Sequence, residues 1–182
     1  MSSYLIWLIP ALIAVWAGLS FNRLVRQSNL VREAWSGVDV QLLRRHDLVP
    51  RLQAVVRGHS AYERSVLAEV TQLRAGKQQR ATPELLEKEN ALTDRLRSFF
   101  AVAEAYPDLR ASQGFLDLQR QLAEVEENLQ SARRYYNGAA RDYNTVRESF
   151  PDNLIAGAFR FGPEAYFQVE SATVREAPQI QV

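Results

Sequence analysis

The sequence predicts an all-α protein. An N-terminal transmembrane helix continues into an antiparallel bundle of about four main helices, one of them about 35 residues long, and a short extended tail follows. Three observations carry this. Residues 2–22 hold no charged side chain. An apolar stripe then continues at helical spacing to about residue 57. From 115 to 150, apolar or small residues recur at gaps of three and four without a miss. With 182 residues and 47% hydrophobic content, the chain can bury one core of ordinary size, and 8 Gly and 7 Pro leave room for long unbroken helices.

The uncharged run of 21 residues would span about 31 Å as a helix, close to the roughly 30 Å of a hydrocarbon core. Trp7 and Trp16 suit interfacial anchoring, and Pro10 is tolerated in a membrane helix at the expense of a kink. A cleaved signal peptide would want a basic start and a small-x-small site, whereas this chain begins Met-Ser-Ser-Tyr. A soluble core helix is rarely apolar on all sides over this length. Arg23, Arg26 and Arg32 follow the run and nothing basic precedes it, so the charge bias places the C-terminal bulk in the cytoplasm.

Leu24, Val31, Trp35, Val38, Leu42, Val49, Leu52 and Val56 extend the stripe into a stalk. Pro50 interrupts it: either the helix kinks there, or a new helix starts with Asp47 as its cap. Tyr62, Val66, Val70 and Leu73 predict a second amphipathic helix, and 77–81 reads as a polar loop. Thr82-Pro83-Glu84 is a helix start, with a capping hydroxyl, a proline in the first turn and an acid at the positive dipole end. Leu85, Leu92, Leu96, Phe99 and Phe100 mark its inner face, and Tyr106-Pro107 ends it. Ser112 can cap the long helix. Its seam comprises Phe115, Leu118, Leu122, Val125, Leu129, Ala132, Tyr136, Ala139, Tyr143, Val146 and Phe150, the 3.5-residue repeat of a helix that keeps one face against partners. Phe150-Pro151 stops it, Asp152 is expected to cap a short helix to about Phe159, and Gly162-Pro163 turns the chain. The tail holds two extended pieces, 165–169 and 179–182, forming a small hairpin or an unstructured end. The expected divisions are an anchor at 1–22, a bundle at 23–161 and a tail at 162–182.

Chemistry-bearing patterns are sparse. A formal charge of +1 with acids and bases interspersed argues against a phosphate-tracking surface, so no nucleic-acid partner is expected. The chain has no cysteine, which removes disulfides, thiolate metal sites, thiol nucleophiles and lipidation through sulfur. His46 and His59 fall short of a metal-ligand pattern, and Glu124, Glu126 and Glu127 lack the histidine partners of a di-iron bundle, so they read as a solvated acidic face. Nucleophile elbows, phosphate loops and dinucleotide fingerprints are missing from the sequence, so neither catalytic residues nor a cofactor are expected. Arg44-Arg45 and Arg133-Arg134 could touch phosphates or lipid headgroups, but such arginines more often pair with nearby acids and cover apolar surface with their stems. Tyr136-Asn137 and Tyr143-Asn144 repeat a Tyr-Asn pair one heptad apart. Polar groups at a seam demand hydrogen-bond partners, and they fix register within one chain or between chains.

Several segments together resemble the LemA family: Phe21-Asn22-x-Leu24-Val25; Ala34-Trp35-Ser36-x-Val38-Asp39-Val40-Gln41-Leu42; Arg45-x-Asp47-Leu48-Val49-Pro50-x-Leu52; Glu104-Ala105-Tyr106-Pro107-Asp108-Leu109-x-Ala111; Arg133-Arg134-Tyr135-Tyr136-Asn137; Tyr143-Asn144; and Phe150-Pro151-x-Asn153-Leu154-Ile155-Ala156. The resemblance covers nearly the whole chain. Family members often have Tyr where Phe21 stands, and some carry a cysteine where this chain has Ser20, so lipid attachment is not implied. The resemblance implies a bacterial single-pass protein of the inner membrane, with a long-helical bundle and no catalytic residues. A magnetosome membrane-biogenesis protein is similar to the family, which points toward membrane organisation or remodelling through self-assembly. Membrane lipids, a second copy of the chain and other membrane proteins are the expected partners. An adaptor acting on another membrane protein, as in quality control, is the alternative.

Overall fold

A computed structural model describes residues 2–58 and 82–167. Its regular structure there is entirely helical: α1 (Ser2–Gly58), α2 (Pro83–Ala103), α3 (Pro107–Arg110), α4 (Gln113–Glu148) and α5 (Asp152–Ala158). The helix expected across 62–73, the loop at 77–81, His59 and the 179–182 piece lie outside the described residues.

α1 is one helix of 57 residues, about 86 Å long at 1.5 Å per residue. Pro10 and Pro50 both lie inside it, so Asp47 does not cap a new helix. Pro50 sits on the exposed side, where the carbonyl that loses its donor can turn to water, while buried Leu48, Val49 and Leu52 hold both halves against the bundle. The first third of α1 stands clear of the rest: Trp7, Leu8, Ile9, Leu12, Ile13, Val15 and Leu19 are all exposed. By length and composition this helix can cross a membrane. Trp16 is half-buried.

From Ser20 onward α1 runs antiparallel to α4. Ser20 bonds Asp152 just past the end of α4, and the Trp35 and Tyr136 rings lie 5.6 Å apart. Farther along, Arg45 meets Glu126, and Gly114 leaves 3.5 Å between the position of a Cβ and Val55. The pairing therefore covers about 35 residues, or roughly 52 Å. α2 adds the third wall. Its buried residues Leu85, Glu89, Leu92, Leu96, Phe99 and Ala103 step by four and three along one face. The distal core gathers Leu52, Leu96, Phe99, Leu109, Phe115 and Leu122, and the middle core gathers Trp35, Val38, Leu129, Tyr136, Ala140 and Tyr143.

The expected caps are in place at two starts. Thr82 Oγ1 accepts from the Leu85 amide at 3.3 Å, and Ser112 Oγ accepts from the Phe115 amide at 3.3 Å. Two expectations need correction. Phe150 is not the last seam layer, because α4 ends at Glu148 and the ring is 80% exposed. Asp152 is not a cap: it is the first residue of α5, Pro151 holds the cap position without a side-chain bond, and the Asp152 carboxylate is instead occupied by Ser20 Oγ at 2.5 Å and Arg23 at 3.2 Å. The seam also widens: Ala139 packs partly buried against the middle core, and Ala140 beside it is fully buried. α5 ends with Arg160 at φ 57°, the left-handed position, while the Phe161 amide returns to the Ala156 carbonyl at 2.9 Å.

Candidate functional site: a Tyr-Asn ladder and a buried ion cluster

The second half of α4 holds an extended stretch of its own chain, 161–167. Tyr143 Oη donates to the Gly162 carbonyl at 2.7 Å. Asn144 donates through Nδ2 to the Glu164 carbonyl at 2.9 Å and accepts from the Glu164 amide at 3.0 Å. One heptad back, Tyr136 Oη donates to the Ala165 carbonyl at 2.9 Å. Asn137 donates to the Phe167 carbonyl at 3.0 Å and accepts from its amide at 2.9 Å. The spacing explains the fit. Seven helical residues rise about 10.5 Å and three extended residues rise about 10 Å, so residues a heptad apart on α4 meet every third residue of the stretch. Each asparagine sets an amide donor and acceptor against the carbonyl and N–H of a single residue, and Asn144 also donates to Tyr166 Oη at 2.9 Å.

Side chains complete the clasp. Phe167 is buried between Trp35, stacked at 6.1 Å, and Tyr136, edge-on at 5.7 Å. The Arg133 guanidinium lies 4.8 Å from the centre of the same ring. Burial pushes the Tyr136 phenol well above its usual range, with Glu164 and Tyr166 acting in the same direction, so it remains a donor. Arg147 Nε donates to the Phe161 carbonyl at 2.9 Å. The Tyr-Asn repeat therefore bonds within the chain. Its hydrogen-bond partner is the 161–167 stretch.

A second polar centre lies nearer the distal end. Arg45 of α1 is fully buried and bonds the carboxylate of equally buried Glu89 on α2, whose carbonyl is 3.3 Å from Nη2. Its Nη1 reaches Thr93 at 2.7 Å and Glu126 of α4 at 2.9 Å, and His46 Nε2 lies 3.3 Å from the other Glu89 oxygen. Burial pushes the Glu89 carboxyl up, but His46 and Arg45 outweigh it and hold the group below its usual value. One guanidinium thus joins three helices. Such a pair adds little net stability against an apolar core, but shifting any helix by a turn would strand a charge.

Glu126 was expected on a solvated acidic face and is instead half-buried on Arg45, because it sits beside seam residue Val125. Glu89 was overlooked, although its four-three spacing with Leu85 and Leu92 places a carboxylate in the seam and calls for a cation. The other signature residues are dispersed. Asp39 is half-buried on α1; Asp47 and Arg134 are exposed; Glu104 and Asp108 are exposed at the far turn, where Tyr106 packs partly on the distal core; Pro151 is half-buried beside exposed Phe150. Among the described residues, no group of three or more His, Asp or Glu could hold a metal ion.

The LemA family profile matches residues 34–182, which include both polar centres. Protein LemA of Metamycoplasma hominis is 26% identical over 152 residues, covering 81% of this chain and 68% of its own. Magnetosome proteins MamQ 1 and MamQ 2 of Paramagnetospirillum magneticum are each 24% identical over 181 residues, covering 85% of this chain and 66% of their own. The chain thus spans about two thirds of the length of these relatives. With the profile covering most of the sequence, the chain belongs to the LemA family.

Proposed function

We propose that this protein is a single-pass, non-catalytic scaffold of the bacterial inner membrane. Through self-association it organises or remodels the membrane or the proteins in it. The observation that carries the proposal is α1: one helix whose exposed apolar third continues without a break into the bundle core, so the span and the domain move as one rigid body. The similarity to magnetosome proteins supports a role at membranes. The bundle lies on the cytoplasmic side, following Arg23, Arg26 and Arg32 just past the span. The signature residues act structurally: Trp35, Arg133, Tyr136, Asn137, Tyr143 and Asn144 close the bundle over its own tail, and Arg45 sets helix register.

Cross-linking in membranes and native mass measurement in nanodiscs test the assembly. Discrete oligomers are expected. A strict monomer at membrane-like surface density overturns self-assembly, and capture of one stoichiometric partner by that monomer favours the adaptor reading instead.

A further inference from the structure

α5 and its flanks meet α1 where it leaves the uncharged run. Both ends of α5 touch the same part of α1. At one end Asp152 bonds Ser20 and Arg23; just past the other, the Phe159 ring lies 4.8 Å from Phe21. The short helix therefore crosses α1 at one level instead of running along it. That level, 20–23, is where the charge-free run ends. Asp152 and Ala156 turn inward, while Phe150, Leu154 and Phe159 stand 80%, 59% and 60% exposed. Three large apolar side chains so exposed on one short helix and its two flanks are unusual on a surface meant for water. Leu19, the residue before the Ser20 that bonds Asp152, is exposed as well. Arg23 and Arg26 follow Phe21 on α1 and Arg160 follows Phe159; all three are exposed, and Arg23 bonds Asp152 through one edge of its guanidinium.

We propose that α5 and its flanks form a collar, a second membrane contact. α5 lies in the headgroup region with Phe150, Leu154 and Phe159 entering the acyl boundary, and Arg23, Arg26 and Arg160 meet anionic headgroups. A helix that crosses the span at the interface fixes the bundle's tilt, since rocking the bundle would lift one side of the collar out of lipid. The Ser20–Asp152 bond gives the collar its height, tying α5 to the last turn of the span. The occupant is a lipid surface, because the patch continues the apolar surface of α1 at the level where a bilayer would end. This inference rests on α1 being inserted, and its test separates the two.

The chain has no cysteine, so single-cysteine variants carry a nitroxide label without background. Full-length protein is reconstituted in vesicles of phosphatidylethanolamine and phosphatidylglycerol. Collision of the label with oxygen, which partitions into lipid, is compared with collision with a water-soluble nickel chelate. Leu12→Cys reports the span, Leu154→Cys the collar, and Tyr135→Cys, at an exposed site higher on α4, reports water. All three positions are exposed, so the labels leave the core intact. The expected oxygen-to-nickel ratio at Leu154→Cys is several-fold above that at Tyr135→Cys and approaches that at Leu12→Cys. A ratio equal to Tyr135→Cys with Leu12→Cys in lipid overturns the collar and leaves the anchor. Shielding of Leu154→Cys from both reagents also overturns it, in favour of a protein contact. A Leu12→Cys label in water overturns both.

Discussion

Arg45→Met tests whether the buried ion cluster sets the bundle's stability. The substitution keeps an unbranched side chain in the same space but removes the guanidinium from Glu89, Thr93 and Glu126. Glu89 is then left at zero exposure with only His46 Nε2, 3.3 Å away, beside its carboxylate. Removing one partner of a buried pair costs about 3–5 kcal/mol, because the stranded charge keeps its desolvation penalty. For a chain of this size that corresponds to a loss of roughly 6–20 °C in Tm. The assay is thermal unfolding of the full-length protein in detergent, followed by circular dichroism at pH 7. The double variant Arg45→Met with Glu89→Met should recover most of the loss, since Glu126 is 26% exposed and can turn to water. Acid gives a second reading. In the parent, Glu89 is held below its ordinary value of 4.5, so its contribution is present above that pH and is lost as pH falls through the lower folded value. In Arg45→Met, protonation removes the stranded charge, so the gap to the parent should narrow as pH falls toward and below 4.5. An Arg45→Met protein within about 1 kcal/mol of the parent would refute a dry, charge-compensated cluster. A double variant as unstable as the single would shift the cause to packing.

Three further outcomes follow from the same geometry. Asn144→Ala removes both bonds to the Glu164 main chain, a local loss of about 1–3 kcal/mol, so hydrogen exchange at the Glu164 amide should speed up roughly 5–150-fold while the distal core stays protected. Tyr136→Phe should cost about 0.5–1.5 kcal/mol and Tyr136→Ala about 3–5 kcal/mol in thermal melts, separating the bond to Ala165 from the ring that packs on Trp35 and Phe167. Arg160→Gly should stabilise by about 1 kcal/mol in urea unfolding, because glycine takes the left-handed conformation that arginine holds under strain.

Periodic features were legible in the sequence, and pairings between elements were not. The α4 seam, the Thr82 and Ser112 caps and the apolar run each follow from local spacing, so they could be read without knowing what they face. Pro50 was ambiguous because a proline breaks or spares a helix according to which side it occupies, and that side is set by the partner. Glu89 was legible in principle: it stands at a layer position of an otherwise apolar face. Asp152 misled because an acid after proline looks like a cap, while here its carboxylate reaches back to Ser20, 132 positions earlier. The 161–167 stretch has no period at all. Its order comes from amides on α4, and only the heptad repeat of Tyr136-Asn137 and Tyr143-Asn144 hinted that something regular had to lie against them.

The ladder also determines which changes the tail would tolerate. Asn137 and Asn144 grip carbonyls and amides, which every residue but proline carries alike, so most exchanges of side chain between Gly162 and Phe167 should leave the four asparagine bonds intact. Adding or deleting one residue there is a different event. It moves Phe167 out of its slot beside Trp35 and offsets each peptide unit from its amide by about a third of a heptad rise. In this stretch the wording is free and the metre is not.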